Sequence, residues 1–310
     1  MNSSSSEDRM KKMESIRSRA TIAAILLGSG VIILFCIIPL VHPHNTTTLG
    51  ILGFCLIIAG IFFCSGLVGE NKKLYKETFV EETIKKNFDN VFYAWKTGFS
   101  KDDIIDFRLF RNGLKYKSED YLKATHKGID FEMSDIMIVY DTSKDGKFDT
   151  FQGRVMVFGF PDKTIEPTRI ISKSFYSRNG INDGIVKNSE KAEMENAAFN
   201  NAFLVYSANP HDSFYLLTPH FMERLMVLNE KYDSIALCFE YNKVIVAFNE
   251  NGKHNAFDGS MINEKLRYSE EIAKVQSDID DLKYIIETIS FAPRKVSPVT
   301  PTDLNAKQPA

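Results

Sequence analysis

Between Thr21 and Gly69 the chain has no Asp, Glu, Lys or Arg, so all 38 basic and 40 acidic residues lie outside that window. So long an uncharged stretch excludes an ordinary solvated surface segment. Other shortages exclude further classes. There are only four cysteines (Cys36, Cys55, Cys64 and Cys238), none spaced for zinc and three in apolar runs, which argues against a disulfide framework and fits a reducing compartment. Positive charge is not in surplus. Setting aside the five basic and three acidic residues of the first twenty leaves 33 basic and 37 acidic residues beyond the window. A net of −4 gives no electrostatic reason to hold nucleic acid. The chain also lacks a G-x-S-x-G elbow, a G-x-x-x-x-G-K-[ST] phosphate loop, a dinucleotide glycine fingerprint and any internal repeat. No catalytic residue, cofactor or metal is therefore assigned from the sequence.

Within the uncharged window stand two apolar runs, 21–41 and 49–68. Each has the roughly 20 residues needed to cross a hydrocarbon core of about 30 Å as a helix. The first holds thirteen Ile, Leu, Val and Phe residues; at about −0.3 to −0.6 kcal/mol each they favour insertion by about 4–8 kcal/mol before the polar residues reduce it. A cleaved signal peptide is shorter, carries a small-x-small site, and is not followed within seven residues by a second span. The runs predict a transmembrane hairpin. Its flanks carry Lys11, Lys12, Arg17 and Arg19 before the first run and Lys72, Lys73 and Lys76 after the second, while the loop His42–Thr48 has neither Lys nor Arg. The excess of basic residues on cytoplasmic flanks predicts a multi-pass cell-membrane protein with both termini inside. Small residues recur every four positions at Ala20, Ala24 and Gly28 and at Gly60 and Cys64, a spacing that suits packing of the two helices on each other or a dimer face. Asn45-Thr46-Thr47 matches a glycosylation acceptor in a loop too near the bilayer to serve as one.

The organisation expected is a basic N-tail (1–20), the hairpin (21–69), a cytoplasmic α+β domain of antiparallel strands and packed helices (70–290), and a disordered tail (291–310) rich in Pro, Thr, Lys and Asn. Tyr75, Phe79, Val80, Ile84 and Phe88 form a helical stripe that continues the second span as a stalk. Ser100 and Asp103 form a capping-box pair ahead of a helix. From about Gly128 the period is two, predicting strands over 129–140 and 155–158 with a turn at 143–146 and a further strand over 168–171. Segments 199–206 and 214–217 read as strands separated by a loop at 209–212. Thr218-Pro219 opens a helix, and 235–239 with 244–248 make a hairpin. A last helix, 261–289, repeats Tyr268, Ile272, Val275, Ile279, Leu282, Ile286 and Ile289 in steps of four and three. That pattern suits either a coiled-coil dimer seam or an amphipathic helix lying on the sheet; it fails at Lys265, which favours the second.

Two motifs resemble metal sites. Asp141 to Gln152 fits the calcium-loop spacing at Asp141, Ser143, Asp145, Gly146 and Asp149, but its twelfth position is the neutral Gln152 and its flanks alternate like strands where helices are required. His211-Asp212 resembles a phosphohydrolase metal pair without its other ligands, placed in the loop between strands. Cys238 lies in an apolar strand, packed rather than reactive.

The order of these pieces resembles a bacterial membrane-protein family, the domain of unknown function number 3137. The resemblance runs over roughly residues 70–290. It is carried by Ser118–Leu122, Ile129–Ser134, Phe151-Gln152-Gly153, Phe199–Ser207 and above all Leu217-Thr218-Pro219-His220-Phe221-Met222-Glu223-Arg224-Leu225. Where the family tends to show an acidic-Ala-Arg-Tyr run, this chain has Asp212-Ser213-Phe214-Tyr215. The resemblance implies a two-span anchor with a cytoplasmic α+β domain and supplies no catalytic residues. The reading that follows is an anchored domain that binds a protein partner or small ligand without chemistry. A tethered hydrolase-like enzyme, with its site at 209–212 or 141–149, and a dimeric scaffold are the alternatives.

Overall fold

The structure, a computed structural model, describes residues 3–33, 46–111, 113–141, 148–159, 165–179, 189–232, 234–249, 256–258 and 267–290. In chain order the helices are α1 (Ser3–Ile32), α2 (Thr46–Tyr75), a π-helical segment (Lys76–Val80), α3 (Glu81–Asn87), α4 (Lys101–Asp106), α5 (Lys173–Asn179), α6 (Ala197–Ala202), α7 (Pro210–Leu216), α8 (Pro219–Tyr232) and α9 (Tyr268–Ser290). The strands are β1 (Asp89–Ala94), β2 (Lys115–His126), β3 (Ile129–Asp141), β4 (Phe148–Gly159), β5 (Ile165–Ser172), β6 (Glu190–Ala192), β7 (Phe203–Ser207), β8 (Ile235–Tyr241) and β9 (Lys243–Asn249). The chain divides into two compact units, Met1–Asn87 with His254–Asp280 and Phe88–Lys253 with Asp281–Ala310.

In the first unit α1 and α2 form a hairpin that touches through small residues. A Cβ added to Gly60 would come within 2.6 Å of the Leu27 side chain, and one added to Gly30 within 2.9 Å of the Gly53 carbonyl oxygen. The contact face of α1 is therefore Ala20, Ala23, Leu27 and Gly30. Ala24 and Gly28 are exposed, so the four-residue stripe expected on α1 is corrected to a 3-4-3 spacing, closer to the true helical repeat of 3.6. At the charged end Lys12 pairs with Glu70 (2.9 Å) and Arg9 with Glu82 (3.5 Å), so both basic flanks lie at the same end of the hairpin. Both helices are long and apolar enough to cross a membrane, and only 28% and 17% of their apolar windows are buried. Ile22, Ile25, Phe54, Ile61 and Phe62 are all more than half exposed. The C-terminal part of the first apolar run, 34–41, and the loop residues 42–45 lie outside the described residues.

The stalk is helical as its stripe predicts, with Tyr75, Phe79, Val80 and Ile84 buried. What the stripe did not predict is the π-helical turn, in which Glu81 N–H reaches back five residues to the Lys76 carbonyl. Lys76 is fully buried and its ammonium lies 3.4 Å from Asp258, whose carboxylate also meets Lys72 at 3.1 Å. Tyr75 donates to Glu271 on the first half of α9 (2.9 Å), and the side-chain amides of Asn87 and Gln276 exchange two hydrogen bonds (2.9 and 3.0 Å).

The second unit is built on an antiparallel sheet of nine strands among the described residues, in the order β1-β2-β3-β4-β9-β8-β5-β7-β6. β3 and β4 pair without interruption from Phe131↔Phe158 to Asp141↔Phe148. Alternation then sorts the side chains between two faces. Ile136, Ile138, Phe151, Val155, Ala247, Cys238 and Ile171 pack on one face with Phe99, Ile104, Leu109, Phe110 and Phe175, contributed by the segment around α4 and by α5. On the other, Phe131, Met133, Met156, Leu237 and Val246 are buried, as are Phe221, Leu225 and Leu228 of α8 and Leu282, Ile286 and Ile289 of α9. The heptad stripe of the last helix is thus buried within a single copy from Val275 onward, which removes it as a dimer seam. The part of that helix predicted over 261–266 lies outside the described residues.

The α+β class, the capping box at Ser100 (Ser100 Oγ accepts from Asp103 N–H, 3.1 Å), the helix after Thr218 and the β8–β9 hairpin are as expected. Two segments are corrected. Residues 197–202 are helix α6, capped by Asn196, with only Phe203–Ser207 extended. Residues 210–216 are helix α7, with Asn209 as N-cap and Pro210 in its first turn. Pro at N1 after an Asn cap is a start signal that outranks the short apolar run Phe214–Leu217.

A polar cluster lies in this sheet. Asp120 sits at a β-bulge with φ 59°, fully buried, and accepts a hydrogen bond from Tyr93. Asp135 and Arg154, on neighbouring strands, make a two-pronged ion pair (2.6 and 3.1 Å) and are near enough to act on Tyr93 electrostatically. Burial, then the Asp120 carboxylate, raises the Tyr93 phenol well above its ordinary value. A group whose pKa is raised on folding gives stability that is complete below its unfolded pKa, about 10 for Tyr, and is lost above it. Alkaline titration of the full chain in detergent is expected to leave the melting temperature flat from pH 8 to about 9.5 and lower it steadily beyond pH 10. A flat profile to pH 11 would remove this role from Tyr93.

Candidate binding cleft

The site is built where the chain between β1 and α4 crosses the sheet. Tyr121 N–H donates to the Thr97 carbonyl (2.9 Å), Phe99 N–H to Ser134 Oγ (3.1 Å), and the Tyr116 hydroxyl to the Phe99 carbonyl (2.7 Å). Gly98 makes this close crossing possible, since a Cβ there would lie 1.8 Å from Ser118 Oγ. The capping box then starts α4, and the chain returns with Phe107. Phe99 stands edge-on to both Phe107 (5.3 Å) and Tyr121 (5.8 Å). These rings wall a cleft of about 530 Å³, completed by Val157 and Gly159 of β4 and bordered by Asp103, Lys123, Asp130, Glu132 and Lys243. That volume suits a small organic ligand or a few residues of a peptide.

Most charges of the cleft are already answered. Glu132 accepts from Lys123 (2.9 Å) across the β2–β3 pair, and its negative charge acts on the Tyr121 phenol. Asp130 accepts from Thr125 (2.6 Å), and Asp103 is held in the capping box. Lys243 has no ion pair among the described residues and lies exposed. Burial, reinforced by Glu132, pushes the Tyr121 phenol up to about 12, and the hydrogen bond to Glu132 raises the Lys123 ammonium. Both groups move away from neutrality, so neither is tuned to exchange a proton near pH 7.

The positions singled out in the sequence do not join this cleft. Residues 142–147 of the calcium-loop segment lie outside the described residues, and what flanks them are strands β3 and β4, as the alternation predicted. The placement of His211-Asp212 in a loop is corrected: both are in the first turn of α7, where the His211 N–H is bound by Asn209 and the ring is exposed. Cys238 is buried in β8 and burial pushes its thiol up to about 11, far from a reactive thiolate. Among the described residues no group of three His, Cys, Asp or Glu is arranged to hold a metal ion.

No curated protein matches the chain at a significant level. A solved structure, the mycobacterial trehalose monomycolate transport factor A (TtfA), aligns with 74% of this chain and 98% of its own at 11% identity and a TM-score of 0.33. Residues 149–290, which hold β4 to α9 with the whole Leu217–Leu225 run, match the family described as "Protein of unknown function (DUF3137)", the family that the sequence resembles.

Proposed function

We propose that the chain is a bilayer-anchored binding protein without catalysis of its own. α1 and α2 cross the cell membrane, both basic flanks face the cytoplasm, and the sheet unit receives a small ligand or a short segment of a partner in its aromatic cleft. The cleft carries this reading. It combines an apolar wall of Phe99, Phe107, Tyr121 and Val157 with carboxylates that already accept hydrogen bonds and a phenol and an ammonium raised away from neutrality, an arrangement that holds and orients rather than transfers protons. The anchoring is supported by the exposed apolar side chains of α1 and α2, which need lipid around them. Orientation is supported by the ion pairs that gather Arg9, Lys12, Glu70 and Glu82 at one end of the hairpin, together with the excess of basic residues there.

The test is a photo-crosslinking amino acid at Phe107, at the cleft, and separately at Tyr176, an exposed position on α5. Both are expressed in the full chain in native membranes. A discrete adduct from position 107 and none from 176 is expected. Equal labelling from both, or none from 107, would end the cleft reading.

A further inference from the structure

We propose that the Arg169 guanidinium and the Tyr206 hydroxyl form a second binding site, for a small oxyanion: a phosphate or carboxylate group. Arg169 lies inside the sheet on β5, paired in register with Tyr206 of β7 on one side and Cys238 of β8 on the other. It is 4% exposed, its Nε is buried without a hydrogen-bond partner, and it has no ion pair among the described residues. A guanidinium taken out of water is strongly disfavoured unless an opposite charge answers it.

Glu240, two residues beyond Cys238 on β8, is an acid on that face, and Arg108 already meets it at 3.6 Å. Among the described residues that carboxylate thus pairs with Arg108 and not with Arg169, whose positive charge lies beside the apolar Ile171, Ala236 and Ile245. The half-buried Tyr206 hydroxyl beside it also has no hydrogen-bond partner among the described residues. Directly paired residues on adjacent strands hold their Cβ atoms about 5 Å apart. The guanidinium fork and the phenol can thus donate to one anion between them. The arginine fork matches the paired oxygens of phosphate and carboxylate, which a spherical ion such as chloride lacks. The site is distinct from the cleft, whose border on Lys243 of β9 lies two strands away across β8; it stands or falls independently of that reading.

The experiment is thermal unfolding of the full chain in detergent, followed by Trp95 fluorescence, in chloride, acetate and phosphate buffers of equal ionic strength. A saturable rise of roughly 3 °C or more in about 10 mM phosphate or acetate over chloride is expected, as a ligand that binds the native state shifts its melting by mass action. A response to phosphate alone assigns a phosphoryl group and one to acetate alone a carboxylate; either supports the site. Arg169→Met should abolish the rise and, in chloride, melt no lower than the parent, because it removes an unanswered charge. Tyr206→Phe should keep the parental melting temperature in chloride and move the anion titration to several-fold higher concentration. It therefore remains a test if Arg169→Met does not fold. Equal melting of the parent in all three salts overturns the proposal. So does an equal rise in parent and Arg169→Met, which is a general salt effect, or an unchanged titration in Tyr206→Phe.

Discussion

Asp135→Ala is expected to cost the second unit about 3–5 kcal/mol, among the largest single-residue effects in the chain. The carboxylate removed receives two bonds from Arg154, at 2.6 and 3.1 Å, and the two residues are 8% and 5% exposed. Truncation takes a two-pronged anionic partner from a buried guanidinium, which costs more than the intact pair contributes. Asp135→Leu combined with Arg154→Met should therefore recover most of the loss, since it removes both charges together. Denaturant unfolding of the full chain in detergent, read through Trp95, measures both variants. A loss below about 1 kcal/mol for the single variant, or a double variant worse than the single, would show that the pair is solvated in practice.

The second large effect is Gly153→Ala. Gly153 lies on β4 opposite Asn249 of β9. A Cβ there would come within 2.0 Å of the Phe248 carbonyl oxygen and 2.9 Å of the Asn249 Cα. Both obstacles are backbone, so no rotamer change relieves them; the β4–β9 pairing at the middle of the sheet must open. The cost should exceed the roughly 1–3 kcal/mol usual for overpacking and leave the full chain largely unfolded or absent from the membrane. Gly159→Ala is the control, because a Cβ at Gly159 meets nothing within 4 Å. Equal yields and melting temperatures for the two would refute the clash.

Much of the second unit was legible because one rule applied at a time. Ile129 with Phe131, and Ile136 with Ile138 and Tyr140, recur at every second residue in β-branched and aromatic runs, Ser100 is followed by Asp103, and Thr218 by Pro219, and each pattern names its element. β2 was missed because Lys115–His126 begins with exposed and half-exposed residues and its buried positions include Asp120 and His126, giving no apolar period to detect. α7 was misread because four consecutive apolar residues outweighed the Asn209-Pro210 cap in the reading. The cleft had no signature at all. Its walls come from residues 98–107, 121–132, 157–159 and 243, which only the antiparallel pairing of β2, β3, β4 and β9 brings together. Arg169 was equally invisible, since a lone arginine in Pro-Thr-Arg-Ile-Ile looks like any solvated charge until its neighbours are known.

The π-helical turn at Lys76–Val80 has a consequence for chain length. Wider winding takes up one residue more than an α-helix would over the same rise, so the segment behaves as a single-residue insertion absorbed without a loop. Removing one residue from it should let the helix run on as regular α from α2 into α3. Five residues wound with i→i+5 bonds make about the same rotation as four in an α-helix, so the residues beyond would keep both their axial positions and their facing. Ile84 would stay buried, and Glu81, Lys85 and Lys86 would stay on their own flank. The stalk can thus lose one residue inside this turn, whereas a one-residue deletion in α2 or α3, where no wide turn absorbs it, should rotate everything beyond by about 100° and damage the protein far more.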